Sequence, residues 1–307
     1  MMKRTIIFLC ISFVLTSNAL AQFDTAKYAV IPENPRPGDP VTIGMAANAK
    51  SAVLIAGGRQ LTKTTFFPVP SDDETQAFMA AVISVPSTAA VGDAVIKVES
   101  DDGEFVEIPI TIANRKFESE IIELNAALTS IRAEPDPQKT AEANLLWRVL
   151  ATTGSEVYHT GKFVLPLTTN RRTSFYGDRR VFKYSNGKSD TSIHGGVDIG
   201  APTGTKIFAC GTGRAALARF RITTGNTIIL EHAPGIYSLY YHLSKIDITE
   251  GAIVRMGELL GEVGATGLAT GPHLHWELRV STENTDPDVF VNRPIVDKDA
   301  ILSKIRD

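Results

Sequence analysis

The sequence is poor in cysteine, in long apolar runs and in excess charge of either sign. Only two of its 307 residues are cysteines, and 31 basic side chains stand against 34 acidic ones, for a net charge of −3. No apolar run approaches the roughly 20 residues of a membrane-spanning helix, which argues against a polytopic membrane protein. Without a basic excess, the chain lacks the electrostatic footprint of a nucleic-acid-binding protein. A hydrophobic content of 43% argues against wholesale disorder.

The first 21 residues have the features of a cleavable export signal. They comprise a positive start, an apolar stretch too short to span a bilayer and a small-residue cleavage site, namely Lys3-Arg4, Ile6–Leu15 and Ala19–Ala21. Removal of this segment would leave Cys210 as the only cysteine, so we expect no intramolecular disulfide. We therefore expect an exported protein, periplasmic or extracellular and associated with the cell envelope, with no transmembrane segment in the mature chain.

Residues 23–114 have the pattern of a small antiparallel β-sandwich. Short apolar runs such as Ala52–Ala56 and Met79–Val85 are bounded by Pro, Gly, Ser and Asp, as is typical of strands joined by turns. The opening segment 35–40, PRPGDP, loosely resembles the first turn of bacterial immunoglobulin-like domains. The sandwich could bind an envelope protein partner or act as a spacer. Alternatively it only adds stability, since no cluster of residues there carries chemistry.

In residues 115–160 the apolar period changes from that of a strand to that of a helix. Steps of four and three predict one helical face, made of Phe117, Ile121, Leu124, Leu128 and Ile131. Pro135 ends that helix, and Asp136 before Pro137 can cap a second one that stops near Gly154. The sequence therefore predicts a helical hairpin linker. It could separate the domains, cover the groove of the next domain as a lid, or simply pack on its own neighbours.

Residues 161–293 are predicted to form a second, β-rich domain with an antiparallel sheet. Glycine occurs at nearly every turn, and the predicted strands are Ile207–Ala209, Thr227–Glu231, Tyr237–Tyr241, Leu259–Val263 and Leu274–Val280. Residues 294–307 form a charged segment that we expect to be a solvated tail. The predicted fold class is thus mainly β.

Histidines in the second domain fall into patterns suited to a metal ion. Residues 194–198, HGGVD, place a histidine and a carboxylate four apart, and the two glycines allow the backbone to bend until both reach one ion. His273 and His275 are two apart in a predicted strand, so both face the same side. His242 closes another apolar strand. A catalytic zinc keeps three protein ligands and leaves its fourth position for water, so these histidines exceed the needs of a structural site.

From about residue 174 to 280 the sequence closely resembles the lysostaphin/LytM-like zinc metallopeptidases, which cleave peptide cross-bridges of bacterial cell walls. The resemblance covers about a third of the chain. It rests on motifs whose order and spacing match, namely SFYGDR at 174–179, HGGVDI at 194–199, APTGT at 201–205, GN at 225–226, YYHL at 240–243 and GLATGPHLHWE at 267–277.

The resemblance implies one zinc ion per catalytic domain, bound by His194, Asp198 and His275. It also implies that His242 and His273 are catalytic histidines that do not bind the metal. Zinc lowers the pKa of a bound water towards about 7 and polarises the scissile carbonyl. No His-Glu-x-x-His helix is present, so histidine is the expected base. We assign the base to His273, and stabilisation of the oxyanion or protonation of the leaving amine to His242.

Other polar residues of this domain have structural alternatives. His232 follows a predicted strand, and a structural hydrogen bond is favoured over catalysis. Cys210 is expected to be a buried thiol at the end of an apolar strand. Glu277 shares a strand face with His275 and is either a partner of that ligand or an exposed carboxylate. Arg179 and Arg180 could meet the carboxylates of a peptide stem, although surface arginines usually do nothing specific.

These features predict an enzyme, a zinc metalloendopeptidase that hydrolyses peptide cross-links or stem-peptide bonds of bacterial peptidoglycan. The alternative is a non-catalytic or latent LytM-type regulator that binds the wall and activates a partner amidase. The complete set of ligand and catalytic residues argues against that alternative. A third reading, a zinc peptidase acting on proteins, depends on the shape of the groove. The sequence does not select which peptide bond is cleaved.

Overall fold

The structure is a computed structural model that describes residues 27–46, 48–69 and 77–306. Within these ranges the chain is mainly β, as predicted, with 22 strands and four helices. The export signal predicted at residues 1–21 lies outside the described residues. None of the helices within them is both long enough and apolar enough to cross a membrane.

The N-terminal part is a sandwich of two four-stranded antiparallel sheets, as the sequence predicts. Its strands are β1 (Tyr28–Ile31), β2 (Pro40–Met45), β3 (Ala49–Ala56), β4 (Arg59–Thr65), β5 (Phe67–Pro68), β6 (Met79–Ser84), β7 (Gly92–Ser100) and β8 (Phe105–Ile112). One sheet has the order β1-β2-β6-β5 and the other β4-β3-β7-β8. Every second residue of β8 is buried and the residues between them are exposed, which is the period-2 pattern of a sheet with one face on the core.

The prediction of a helix beginning near Phe117 is wrong in its first half. Ser119–Glu123 form strand β9, which pairs in parallel with residues 179–183, with Ile121 opposite Val181. Ile121 and Ile122 are β-branched and favour a strand, and the edge formed by residues 179–183 offers unpaired backbone groups. The spacing of four and three continued through a strand by coincidence.

The rest of the linker is helical, as predicted. Helix α1 (Ala126–Ala133) starts at Asn125, whose side chain accepts the backbone N–H of Leu128, 2.9 Å away. Helix α2 (Pro137–Ala151) starts at Asp136, the predicted cap. Leucines and a valine of α2 pack on one face of the large C-terminal sheet, in a cluster that also contains Leu217, Ile229, Leu239 and Tyr241. The second helix therefore packs on a neighbouring sheet and is not a free rod.

The C-terminal part is built on one large antiparallel sheet. Its elements in chain order are β10 (Arg172–Ser174), β11 (Arg179–Lys183), β12 (Ser189–Ile193), β13 (Gly196–Gly200), β14 (Lys206–Phe208), β15 (Gly213–Arg221), β16 (Gly225–Ala233), β17 (Ile236–Leu243), β18 (Lys245–Ile246), β19 (Ile253–Val254), β20 (Leu259–Glu262), β21 (His273–Val280), β22 (Glu283–Thr285) and helix α3 (Asp288–Asn292). The large sheet has the order β10-β13-β21-β17-β16-β15-β19, and β22 pairs with β21. Two three-stranded sheets, β12-β11-β9 and β14-β20-β18, flank it.

The expectation that residues 294–307 form a solvated tail is wrong. Lys298–Ile305 form helix α4, and its Ile301 and Ile305 are buried. Ile301 packs over Gly44 of β2 so closely that a Cβ at Gly44 would lie 2.3 Å from its Cγ2 atom. Nearby, the Thr42 hydroxyl donates to the Ile295 carbonyl over 2.7 Å. The apolar spacing within a charged segment thus places α4 against the N-terminal sandwich.

We expect Ile301→Ala to lower the free energy of unfolding by about 2–5 kcal/mol, because it removes a fully buried side chain and leaves a cavity against Gly44. Equilibrium urea denaturation of the full chain measures this. The matched control is Ile253→Ala, since Ile253 is 54% exposed, and we expect it to change stability by less than about 1 kcal/mol. Equal losses in the two variants would contradict the packing of α4.

Candidate metal centre

Three of the predicted site residues meet where β13 and β21 pair. His194 lies just before β13, Asp198 lies within it, and Asp198 is directly opposite His275 of β21. Along β21, Leu274 and Trp276 are fully buried in the core on the opposite side of the sheet from His275. The predicted strand geometry of the histidine pair is therefore confirmed.

One acceptor atom from each of these three residues points to a common centre. His194 Nε2 lies 3.2 Å from Asp198 Oδ1 and 3.0 Å from His275 Nδ1. His275 Nδ1 lies 2.8 Å from the same carboxylate oxygen. The three residues are buried. In the part of the chain that the structure describes, this is the one group of histidine, cysteine and carboxylate side chains arranged to hold a metal ion.

Hydrogen bonds on the far side of each imidazole assign its protons. His194 Nδ1 donates to the Phe175 carbonyl over 2.8 Å, and His275 Nε2 donates to Glu277 Oε1 over 2.9 Å. Each ring therefore turns a lone pair towards Asp198. Two neutral imidazole nitrogens and a carboxylate oxygen, all acceptors, cannot satisfy one another at this distance. A shared cation resolves the conflict, so the donor set fits a metal ion such as zinc.

The pKa values of the three residues show the same demand for positive charge. Burial by itself would raise the pKa of Asp198, but its contacts with His194 and His275 outweigh burial and hold that pKa well below its ordinary value. Burial opposes protonation of His275, yet Asp198 and Glu277 raise its pKa to about 9, so without a metal ion an additional proton on this ring supplies the positive charge instead. Burial lowers the pKa of His194. The site is ionised at Asp198 and attracts a cation.

The outer oxygen of Asp198 is held by an arginine whose role the sequence did not reveal. Arg180 Nη2 donates to Asp198 Oδ2 over 2.6 Å and to the Ser174 hydroxyl over 2.8 Å, and its Nε bonds Glu120 of β9. The sequence predicts for Arg180 either a surface position or a contact with stem carboxylates, and the structure instead shows it orienting a candidate metal ligand. The signal that could have found it is its place directly after the SFYGDR motif.

His242 and His273 lie together beside this centre. Their ring centroids are 4.9 Å apart, and His273 Nε2 is 3.6 Å from Asp198 Oδ1. The Nδ1 atom of each ring donates to a backbone carbonyl 2.8 Å away, of Thr266 for His242 and of Gly271 for His273. The Nε2 atom of each ring is thereby an acceptor. Burial, reinforced by the neighbouring histidines, lowers the pKa of His242 to about 3.

The backbone of His242 adopts a conformation that L-residues seldom occupy. Its φ is 66°, and such a position costs of order 1–3 kcal/mol. Its N–H donates to the Thr224 carbonyl over 2.9 Å. Together with the bond from its ring to Thr266, this contact fixes the side chain where the strand β17 ends.

The two histidine pairs open into a groove with a cavity of about 250 Å³. One wall carries the histidines and Tyr241, whose ring stacks on His275 with centroids 5.3 Å apart. Three residues of the linker also line this cavity, namely Ile122 of β9, Leu124 directly after it and Arg132 of α1. The linker therefore forms one side of the groove, a position intermediate between the predicted lid and simple packing.

His232 and Cys210 lie away from the groove in the core. His232 is fully buried, its Nδ1 donates to the Thr212 carbonyl over 2.8 Å, and its Nε2 accepts from the Ser238 hydroxyl over 2.7 Å. Cys210 is also fully buried, and burial raises its pKa to about 12. The hydrogen bonds of His232 are those of a structural residue, as predicted. Glu277 is instead a direct hydrogen-bond partner of His275.

Comparison with known proteins shows that part of the C-terminal domain is similar to a family of peptidases. Residues 192–287 match the model of peptidase family M23, and they contain all five predicted site residues. A crystal structure assigned to peptidase M23 from Pseudomonas aeruginosa has the same fold, with a TM-score of 0.61 at 22% identity, over 84% of this chain and 94% of that chain.

Curated relatives match segments of similar length. Over 95 residues the chain is 41% identical to the DD-carboxypeptidase/endopeptidase Mpg of Neisseria meningitidis, which covers 31% of this chain and 22% of that protein. Over 93 residues it is 36% identical to the peptidoglycan DD-endopeptidase ShyB of Vibrio cholerae, covering 30% of this chain and 22% of that protein. The match thus spans about a fifth of the length of these relatives. The chain carries a peptidase M23 domain, as its lysostaphin/LytM-like motifs predicted.

We expect His232 to make the fold sensitive to acid. Burial lowers its pKa from 6.5 to about 3, so between these values the unfolded chain binds a proton that the folded chain does not. Stability is therefore complete above pH 6.5 and falls as the pH is lowered, by about 1.4 kcal/mol per unit from this group. Urea denaturation of the wild type and His232→Asn between pH 7 and 4 measures this. The stability advantage of the wild type should shrink with falling pH, and a constant difference would contradict the assignment.

Proposed function

We propose that this protein is an exported zinc metalloendopeptidase that hydrolyses peptide cross-links or stem-peptide bonds of bacterial peptidoglycan. One observation carries the proposal. Three buried acceptor atoms, from His194, Asp198 and His275, converge within 3.2 Å of one another beside two further imidazoles that offer free acceptor nitrogens. The substrate class is supported by the curated relatives, one of which is named a peptidoglycan DD-endopeptidase and another a DD-carboxypeptidase/endopeptidase.

The three converging residues would hold the zinc ion. Both histidines present the nitrogen that their outer hydrogen bonds leave unprotonated, and Arg180 fixes the carboxylate so that one oxygen faces the histidines. When bound, zinc supplies Lewis acidity at the scissile carbonyl and makes water a competent nucleophile near neutral pH. Glu277, which accepts the His275 Nε2–H, keeps the other nitrogen of that ring turned inward.

The two remaining histidines would move the protons. His273 is the proposed base, because its Nε2 is an acceptor and lies 3.6 Å from Asp198 at the edge of the ligand set. His242 lies beside it, with ring centroids 4.9 Å apart, and would stabilise the oxyanion or protonate the leaving amine. That role requires a proton on His242 Nε2. Burial disfavours this proton in the free protein, and the negative charge that develops on the substrate would favour it.

Export is supported by the sequence of residues 1–21, whose basic start, apolar stretch and small-residue site are those of a cleavable signal. A peptidase acting on the wall must reach it outside the cytoplasm. We therefore propose that the protein works in the cell envelope, in the periplasm or outside the cell.

We expect the wild type to bind one zinc ion per chain and His194→Ala to lose it, since the variant lacks one of three ligands. Zinc content after dialysis, measured by elemental mass spectrometry, gives the result without reference to activity. The Arg255→Gln variant, altered at an exposed residue remote from the centre, should keep its zinc. Full zinc occupancy of His194→Ala would contradict the ligand set.

We expect the zinc-loaded wild type to release muropeptides with new peptide ends from purified sacculi, detected by mass spectrometry. His273→Gln should keep its zinc but lower the rate about 100-fold or more, the usual contribution of a general base. Rates equal to wild type in this variant would remove His273 from the mechanism.

Failure of the wild type is equally informative. If the zinc-loaded wild type releases no muropeptide while still binding sacculi, the hydrolase proposal is wrong and a wall-binding regulator takes its place. The peptide ends that do appear identify the bond that is cleaved.

A further inference from the structure

The groove continues beyond the histidines, over the edge of the large sheet. The cavity around His273 adjoins a second one, which shares with it Asp198, Arg180 and His273 and extends to Arg171. A third cavity adjoins the second and shares Arg171, Gly200 and Pro272. A substrate that lies along this path therefore passes Arg171 directly after it passes the proposed base.

The side chain of Arg171 lies beside the proposed base in a space that is open because residue 200 is a glycine. A Cβ at Gly200 would lie 2.9 Å from Arg171 Nη1, so the guanidinium occupies the space above this glycine. Gly200 is the strand partner of His273 in the β13–β21 pair. The backbone also fixes the position, because the Gly200 N–H donates to the Arg171 carbonyl over 2.9 Å.

Arg171 differs from the neighbouring arginines because no hydrogen bond or ion pair to another described residue engages its guanidinium. Arg180 is neutralised by Glu120 and Asp198, and Arg172 pairs with Asp288. Arg179 donates to the carbonyls of Gly177 and Ser87 and covers the ring of Phe117. Among the described residues, no carboxylate forms an ion pair with Arg171, and its side chain is exposed to the cleft.

We propose that Arg171 binds a carboxylate of the substrate and so selects peptides that carry a free acidic group next to the scissile bond. A guanidinium matches a carboxylate with two parallel N–H bonds, and it stays charged at any physiological pH. Arg171 acts as a specificity-determining residue and takes no part in the chemical step. This inference rests on the proposed peptidase function and names the chemistry of the substrate that the same groove accepts.

The test compares two substrates that differ only in this group. Cross-linked muropeptide dimers are used either with free stem carboxylates or after their conversion to amides, and kcat and KM are measured for the zinc-loaded full chain. For the wild type we expect a KM about 10-fold lower for the free acid, as is usual for a charge-assisted bond. Arg171→Gln should remove this preference by raising KM for the free acid with little change in kcat, and Arg171→Lys should restore part of it.

Arg255→Gln is the matched control. Arg255 is also an exposed arginine, but it follows β19 at the opposite edge of the same sheet, so the variant should keep the wild-type preference. The inference is overturned if Arg171→Gln keeps the preference, if the wild type has none, or if Arg171→Gln lowers kcat equally on both dimers. Failure of the wild type to cleave either dimer instead overturns the peptidase proposal, and the inference falls with it.

Discussion

The candidate metal centre of the C-terminal domain depends on three acceptor atoms that are held within 3.2 Å of one another and need a shared positive charge. His194, Asp198 and His275 turn lone pairs towards one centre, and each is held there by a group on its outer side, the Phe175 carbonyl, Arg180 and Glu277. This arrangement is unfavourable unless a cation is present. The antiparallel pairing of β13 with β21 is what makes it possible, because it sets Asp198 directly opposite His275.

The segment between the two domains contributes to the site as well as connecting the domains. Its strand β9 extends the small sheet next to the groove, which brings Glu120 to Arg180 and Ile122 to the groove wall. Its helix α2 packs on the large sheet beside the groove, and Tyr241 belongs both to the cluster under α2 and to the lining of the groove. At the other end of the chain, α4 returns to the N-terminal sandwich. Changes in the linker would thus reach the candidate ligands through Arg180.

Most charged side chains of the groove form ion pairs with other residues of the protein, whereas Arg171 does not. The carboxylates nearest the centre are matched by arginines or histidines, so they are not available to a ligand's cations, while Arg171 is left with its guanidinium facing the cleft. His273, whose Nε2 is an acceptor, lines both the cavity at the centre and the one that reaches Arg171. The groove therefore combines a cation-seeking centre with an anion-seeking end, an arrangement suited to a peptide whose scissile bond lies near a carboxylate.

Local patterns in the sequence determined the strands, the Asp136 cap and the shared face of His273 and His275, because each depends on spacing within one element. The motifs also placed the M23 domain. Pairing between distant segments was decided only by the tertiary structure. The strand at Ser119–Glu123 pairs with the open edge formed by residues 179–183. Helix α4 is buried because Gly44 leaves room for Ile301. The contact of Arg180 with Asp198 is not indicated by the spacing of residues in either strand. Such contacts join residues far apart in the chain, and no local pattern encodes them.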